Sequence, residues 1–265
     1  MEVVDQRFQE RLPIDGYNQN IYHVTRYKFA KVYVRGKFVL DIACGSGYGS
    51  TLLIESRPKE VIGLDLDHEA IKVAQQSKDN RSKSPLYLVG SAERIPIPDL
   101  TVDVVVCIET IEHINGDKRA VNEFQRVLKP GGILLLTTPN AKITRPMKGV
   151  PNNPYHIREY TLKDLITLLS SQFTDINFFG QRVRGTIIGP KNPPRNNLTV
   201  LVRRLLDIFP LEWRREYPKV LPNPIADWIV RRITKHNYYL REDDIEFGDW
   251  GVDHSPVLVA VCKKN

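Results

Sequence analysis

A cluster of glycines between two acidic residues is the part of this 265-residue sequence best suited to bind a ligand. Gly45, Gly47 and Gly49 follow Asp41 in the segment VLDIACGSGYGS, and Asp65 stands twenty residues after the first of these glycines. Glycine lets a turn adopt positive φ and lets backbone N–H groups approach a ligand closely. A carboxylate at this separation, at the end of the next strand, can receive both hydroxyls of a ribose. The pattern therefore predicts a turn that binds a nucleoside.

Two histidines follow the ends of predicted strands, where a substrate would reach them. His156 lies in the segment NNPYHIREYT, and His113 lies in the segment ETIEHI. A histidine near a hydroxyl nucleophile can accept its proton at neutral pH. We therefore predict His156 as a general base and His113 as the second catalytic candidate. Alternatively, His113 has a structural role and caps a short helix after the fourth strand.

Short apolar runs alternate with amphipathic segments, and these elements must position the residues named above. Strands alternating with helices, several of the strands apolar throughout, predict an α/β fold with a parallel sheet covered on both faces. The last two strands lack a helix of normal length between them, so we expect them to pair antiparallel. The predicted strands span residues 38–42, 61–65, 86–90, 102–108, 132–139, 176–183 and 256–264. The predicted helices lie within residues 20–34, 68–77, 117–128 and 160–173, the last with Thr161 as its N-cap. A further helix is predicted to follow the glycine cluster and to run through residues 52–54.

One domain accounts for the whole length, with residues 186–250 as a helical insertion before the last strand. The net charge of the chain is +7, and residues 191–241 alone hold eleven Lys or Arg against four Asp or Glu. Three roles stay open for this basic segment: a lid whose arginines meet substrate phosphates, an amphipathic surface on an anionic membrane, or a flap on the sheet edge and a partner subunit. The excess of positive charge in this segment is too small to predict specific nucleic-acid binding. The other parts are an N-terminal cap (1–35), a cofactor-binding core (36–185) and the last strand (251–265).

The three cysteines are widely separated, which argues against disulfide and zinc sites. Cys44, Cys107 and Cys262 are expected to be reduced core thiols of a cytoplasmic protein. The N-terminal segment contains acids and no apolar run, so we do not expect it to be a secretory signal. The sequence shows no metal-ligand spacing, and we therefore expect an activity that survives a chelator.

The details of the glycine turn favour a sulfonium cofactor over a dinucleotide. A dinucleotide-binding turn of the form GxGxxG would need glycine where this chain has Ser50. It would also not carry an acid four residues before its first glycine, where this chain has Asp41. S-adenosylmethionine has an ammonium group and no phosphate, and Asp41 can supply or orient an acceptor for that group. We therefore expect S-adenosylmethionine as cofactor, with NAD as the alternative.

Four sequence blocks resemble the class I S-adenosylmethionine-dependent methyltransferases, most closely the small-molecule type of ubiquinone and menaquinone biosynthesis. The blocks are VLDIACGSGYG, GLDLDHEAI, GSAERIPIPDLTVDVVVCIETIEHI and RVLKPGGILLLTTPN, which lie between residues 38 and 140 in the order and spacing of that family. The resemblance implies a Rossmann-like, seven-stranded sheet whose last strand is reversed, and an enzyme that transfers a methyl group.

The resemblance also implies where the cofactor binds. Asp41 orients its methionine end, while the backbone of Cys107 and the side chain of Glu109 flank that end. At the other end, Leu66 packs on the adenine, and Ser91 with Ala92 meets the adenine edge. Many relatives have aspartate in place of Ser91, and a serine hydroxyl accepts the same hydrogen bond as a weaker, neutral partner. The complete set of cofactor-binding residues is Asp41, Cys44, Gly45, Gly47, Asp65, Leu66, Ser91, Ala92, Cys107 and Glu109.

The first predicted helix carries a more particular resemblance, to methyltransferases encoded among surface-polysaccharide enzymes. It rests on His23, Arg26, Tyr27 and Phe29, and it implies that this helix closes over the cofactor. The alternative is a packing helix with a solvated Arg26. We expect methyl transfer to an oxygen of a small molecule or of a glycan or lipid-linked precursor. The alternatives are an NAD-dependent oxidoreductase and a cofactor-binding member of the fold without catalytic activity.

Overall fold

The computed structural model describes residues 17–77, 84–146, 149–183 and 242–265. The chain divides into two units, one of Met1–Ile188 with Arg241–Asn265 and one of Gly189–Leu240. The second unit lies outside the described residues, and so do most of the expected 186–250 insertion and the first part of the N-terminal cap.

A single mixed sheet of eight strands forms the centre of the described unit. Its strands are β1 (Phe38–Ile42), β2 (Glu60–Asp65), β3 (Leu86–Val89), β4 (Val102–Ile108), β5 (Leu128–Pro139), β6 (Asp175–Val183), β7 (Ile245–Gly248) and β8 (Val257–Lys263). The strand order is β3-β2-β1-β4-β5-β8-β6-β7. Neighbours from β3 to β5 pair parallel, whereas β8 pairs antiparallel with both β5 and β6. The expected parallel sheet with a reversed last strand is confirmed.

Six α-helices connect or flank these strands in the described residues: α1 (Tyr17–Val34), α2 (Tyr48–Ile54), α3 (His68–Gln76), α4 (Asp117–Val127), α5 (Ala141–Thr144) and α6 (Leu162–Leu169). A 3-10 turn at Ile111–His113 follows β4, as expected for a short helix there. Thr161 caps α6 in a capping box with Asp164, which confirms the predicted N-cap. Among the described helices, none combines the length and the apolar character that crossing a membrane requires.

The central strands are mostly apolar because helices cover both of their faces. On one face, Phe124 and Val121 of α4 join Leu134 of β5 in the larger core cluster. On the other face, Ala30 and Val34 of α1 pack in a second cluster that also includes residues of β1, β4 and β5. Sheet and helices are therefore held by two apolar layers, and the polar residues of interest lie at the strand ends.

The structure corrects the sequence-based description in two places. Residues 245–248 form the edge strand β7 inside the segment expected to be a helical insertion, so the sheet has eight strands instead of seven. Phe247 of β7 stacks on Phe29 of α1, which gives this short strand an apolar anchor. The segment KPGG belongs to β5, which begins at Leu128 and not at residue 132. A register shift opposite Val102 and Val104 accommodates it.

Candidate functional site

A cavity of about 560 Å³ is lined by residues that follow the carboxyl ends of β1, β2 and β4. Ligand sites of open α/β sheets lie at this end of the strands, and the volume is within the range of small-molecule sites. Six of the twelve predicted site residues line the cavity: Cys44, Gly45, Asp65, Glu109, His113 and His156. The other six are described but are not among its lining residues: Asp41, Gly47, Leu66, Ser91, Ala92 and Cys107.

The glycine turn joins β1 to α2, and two of its glycines are needed for different reasons. Gly47 has φ +84°, and the hydroxyl of Tyr87 donates a hydrogen bond to its carbonyl oxygen at 3.2 Å. A Cβ atom at position 47 would overlap the ring of Tyr87. Gly49 lies directly against the ring of Tyr27 in α1, where a Cβ atom would also overlap. The turn is thus fixed between α1 and β3 by two tyrosines.

The carboxylate of Asp65 connects the end of β2 to this turn. Its Oδ2 accepts a hydrogen bond from the backbone N–H of Gly45 at 2.8 Å, and its Oδ1 accepts one from the N–H of Asp67 at 2.9 Å. The side chain also lines the cavity. Asp65 therefore stands where a carboxylate could receive a ribose, and it supports the turn as well.

Asp41 is fully buried beneath the glycine turn and holds the elements around it together. Its carboxylate accepts hydrogen bonds from Ser50 of α2 at 2.6 Å and from Tyr27 of α1 at 3.2 Å. Burial raises the pKa of Asp41 from 3.8 to about 7, although the two hydrogen bonds oppose that shift. Ser50, the residue that departs from the dinucleotide pattern, therefore has a structural partner in Asp41.

Arg26 of α1 brings a buried positive charge to the cavity wall. The side chain is 6% exposed, which excludes the alternative of a solvated Arg26. Its Nε donates to Oε1 of Gln181 in β6 at 2.8 Å. One terminal nitrogen lies 3.4 Å from Oε2 of Glu109 but has no hydrogen-bond geometry to any acceptor in the described part of the chain. Beside it, burial and the charge of Arg26 lower the pKa of His23 to about 4, against the opposing effect of Glu109.

Glu109 directly follows β4 and adopts an unusual backbone conformation. Its φ is +46°, a region that residues other than glycine rarely adopt. Its Oε1 accepts a hydrogen bond from Thr137 of β5 at 2.9 Å, and its Oε2 faces Arg26. Backbone strain of this kind is often found at ligand sites, and here it places a carboxylate in the cavity wall.

Both predicted catalytic histidines lie together, with ring centroids 4.8 Å apart. Nδ1 of His113 lies 3.0 Å from the carbonyl oxygen of Tyr155. Nδ1 of His156 lies 3.0 Å from Oε1 of the buried Glu159, and its Nε2 lies 3.0 Å from the side-chain amide nitrogen of Asn153. Each imidazole is thus oriented by a neighbouring acceptor.

Glu112 is a site residue that the sequence analysis missed, since an acid in a short polar segment normally faces solvent. Here the side chain has no exposed surface, and its Oε2 accepts a hydrogen bond from Thr138 at 2.9 Å. Burial, and then the nearby charge of Glu109, raise the pKa of Glu112 well above its usual value. Its backbone carbonyl accepts from the N–H of Ile157, which fastens the histidine loop to the turn after β4.

The three cysteines form no disulfide and are buried, as expected for core thiols. Burial raises the pKa of Cys107 well above that of an exposed thiol, so this residue is unreactive at neutral pH. Cys44 follows β1 and lines the cavity as a small apolar group.

Comparison with known proteins agrees with this geometry. Residues 40–136 match the family model described as a methyltransferase domain. The chain is 37% identical over 138 residues to a protein of Mycolicibacterium smegmatis described as a probable S-adenosylmethionine-dependent methyltransferase, and this match covers 51% of each chain. It is 35% identical over 103 residues to the malonyl-[acyl-carrier protein] O-methyltransferase of Serratia marcescens, covering 39% of this chain and 38% of that protein. The matches thus span about half or less of these relatives.

The fold is also shared with a solved structure of an S-adenosylmethionine-dependent methyltransferase from Thermotoga maritima. The TM-score is 0.58 at 15% identity, over 93% of this chain and 90% of that one. At this identity the likeness concerns the fold alone. The family match is the more specific finding: residues 40–136, which include the strands and turns that form most of the cavity, are similar to methyltransferase domains.

Proposed function

We propose that the chain transfers the methyl group of S-adenosylmethionine to an oxygen of a small molecule or of a glycan or lipid-linked precursor. The proposal rests on one observation: a single cavity is lined both by residues suited to bind the cofactor and by residues suited to act on an acceptor. The glycine turn and Asp65 line one part of it, and His113 and His156 line another. A cofactor and an acceptor can therefore lie side by side in the same cavity, as an in-line displacement requires.

The residues present fit this cofactor. S-adenosylmethionine offers a ribose diol, an ammonium group and a carboxylate, and it supplies an electrophilic methyl group when bound. Asp65 is suited to the diol, and Glu109 is suited to the ammonium group. The guanidinium of Arg26 is fixed by Gln181 and has a terminal nitrogen without a hydrogen-bond acceptor among the described residues. A carboxylate is the partner that such a buried donor favours.

Oxygen is the proposed methyl acceptor because the histidine pair suits a hydroxyl group. His156 is held by Glu159 as an oriented imidazole, which is the arrangement of a side chain that works on a hydroxyl proton. The Serratia relative is named an O-methyltransferase. The glycan or lipid-linked class follows from the resemblance of the first helix to methyltransferases encoded among surface-polysaccharide enzymes.

Several features of the whole protein belong to the same proposal. We place it in the cytoplasm, which agrees with three buried cysteines that form no disulfide. The basic residues of the 186–250 segment lie outside the described residues. The proposed roles for that segment stay as a lid toward phosphate groups, a peripheral membrane contact, or a homodimer contact, and we propose no specific nucleic-acid partner.

Calorimetric titration with S-adenosylmethionine, S-adenosylhomocysteine and NAD tests the cofactor. We expect binding of the first two and none of NAD; binding of NAD alone would contradict the proposal and favour an oxidoreductase. A panel of hydroxylated sugars, nucleotide-sugars and phenols, with release of S-adenosylhomocysteine as the readout, tests the reaction.

His156→Ala should lower turnover and leave cofactor affinity nearly unchanged, and His68→Ala, at an exposed histidine, is the control. If both variants turn over substrate at the same rate, His156 has no catalytic role.

A further inference from the structure

Three side chains in the cavity wall come together in a way the sequence does not show. Glu112, His113 and His156 each offer one ligand atom, and these atoms all lie within 4.8 Å of one another. All three residues line the cavity described above. The first two belong to the turn after β4 and the third to the loop after α5, so only the fold joins them.

The carboxylate of Glu112 is the strongest indication of a missing partner. The side chain is completely buried, and while Oε2 accepts from Thr138, Oε1 has no hydrogen-bond partner among the residues that the structure describes. Buried polar atoms without a partner are rare and costly, and each requires an explanation. A cation in the cavity would satisfy this oxygen.

The two imidazoles present the arrangement found at metal sites. A histidine that binds a metal through one nitrogen normally donates its other N–H to a carbonyl or a carboxylate. Nδ1 of His113 faces the Tyr155 carbonyl, and Nδ1 of His156 faces the Glu159 carboxylate. These contacts assign the proton to Nδ1 in both rings and leave Nε2 as the basic atom. The Asn153 amide now lies 3.0 Å from Nε2 of His156, and a metal ion would take its place.

We propose that Glu112, His113 and His156 bind one divalent transition-metal ion, and that this ion binds the acceptor hydroxyl. Two imidazole nitrogens and one carboxylate oxygen leave coordination positions open, and such a donor set favours transition metals over Mg²⁺ or Ca²⁺. Bond lengths of about 2.0–2.2 Å require the ligand atoms to move slightly closer than they are here. The bound ion would lower the pKa of the acceptor hydroxyl.

The claim that the ion binds the acceptor hydroxyl rests on the proposed function. The claim that the three residues bind an ion does not. A ligand role for Nε2 of His156 takes the place of its role as general base. The proposal also replaces the expectation, drawn from sequence spacing, that the activity survives a chelator. The sequence gives no sign of a role for Glu112, because a lone acid beside a histidine is common in exposed segments.

Titration of the chelator-treated, tag-free chain with Mn²⁺ and with Co²⁺ tests the site directly. We expect one ion per chain, and visible absorption of bound Co²⁺ with nitrogen ligands. Glu112→Gln, which keeps the size of the side chain, and His113→Ala should each weaken binding by about 100-fold or more. Glu159→Gln replaces the carboxylate beside His156 by a neutral amide and leaves the three ligands in place, so a smaller loss of about 10–100-fold is expected. His68→Ala, at an exposed histidine, should bind like the unaltered chain.

The outcomes separate the metal site from the proposed function. Absence of stoichiometric binding, or equal binding by Glu112→Gln and the unaltered chain, would overturn the metal site. S-adenosylmethionine affinity, measured on the same samples, reports independently on the cofactor site and on correct folding. If methyl transfer occurs, a chelator should abolish it and Mn²⁺ should restore it. Transfer at the full rate by metal-free protein would overturn the role of the ion in acceptor binding.

Discussion

Asp41 is buried beneath the glycine turn, and its environment links its protonation to folding. Burial raises its pKa to about 7, and the charge of Asp65 acts in the same direction, while hydrogen bonds from Ser50 and Tyr27 oppose the shift. The unfolded chain has an ordinary aspartate with a pKa near 4. Folding therefore takes up a proton between about pH 4 and pH 7. The stabilising contribution is fully present below the unfolded pKa and is lost as pH rises through about 7.

Asp41→Asn should remove this pH dependence. Between pH 5 and pH 8 the free energy of unfolding of the unaltered chain should fall relative to that of the variant, by on the order of 1.4 kcal/mol per unit of pH below the folded pKa. Urea unfolding at four pH values measures it. Asp103→Asn is the control: burial acts to raise the pKa of Asp103, but a hydrogen bond from the Phe38 backbone and the contacts with Lys129 outweigh it and hold that pKa below its usual value. If the free energy of unfolding depends on pH in the same way in the unaltered chain and in Asp41→Asn, the raised pKa of Asp41 would be contradicted.

Asp65 is the residue whose loss should affect the cofactor most directly. Asp65→Ala should weaken S-adenosylmethionine binding by about 2–4 kcal/mol, since two charge-assisted hydrogen bonds to the ribose would be lost. The variant also loses the support of the Gly45 N–H. Asp67→Asn is the matched control: Asp67 caps α3 but does not line the cavity, so its effect should fall on stability. Unchanged affinity in Asp65→Ala would remove it from the ribose role.

At the scale of elements, α1 is fixed against the glycine turn by close packing as well as by hydrogen bonds. Gly49→Ala should push Tyr27 away, destabilise the protein by about 1–3 kcal/mol and weaken cofactor binding, because Arg26 lies on the same helix. Gly36→Ala is the comparison, since Gly36 has φ +70° and open space around it. It should cost about 1–2 kcal/mol of stability without changing cofactor affinity. Thermal unfolding and calorimetry on both variants measure these effects; equal affinities would argue against the coupling.

The sequence predicted the elements whose pattern is local. The apolar runs of β1 and β4 and the glycine turn were recognisable because a buried parallel strand has few polar residues. The short edge strand β7 was missed, since its stability comes from pairing with β6 and from the contact of Phe247 with Phe29. Glu112 and Glu159 were missed for the same reason: their burial is created by segments distant in sequence. Half of the predicted site residues face the cavity, and periodicity cannot show which ones will.

For the molecule as a whole, the site depends on where the strands end more than on any single motif. Residues at the ends of β2 and β4 and directly after β1 and β4 contribute to one cavity, because parallel neighbours end at the same edge of the sheet. Gln181 of β6, on the far side of β8, reaches this cavity indirectly by holding Arg26. The first helix and strand β6, far apart in the sequence, thus act together at this cavity.

The placement of β8 between β5 and β6 also sets an order for synthesis. Strands β1 to β5 can pair as they leave the ribosome, but β6 can join the sheet only through β8, which begins more than seventy residues later. Protein synthesis adds about 5–20 residues per second, so the backbone groups of β6 that pair with β8 stay unpaired for several seconds. We expect the nascent chain to be most exposed to aggregation and to chaperone binding during that interval.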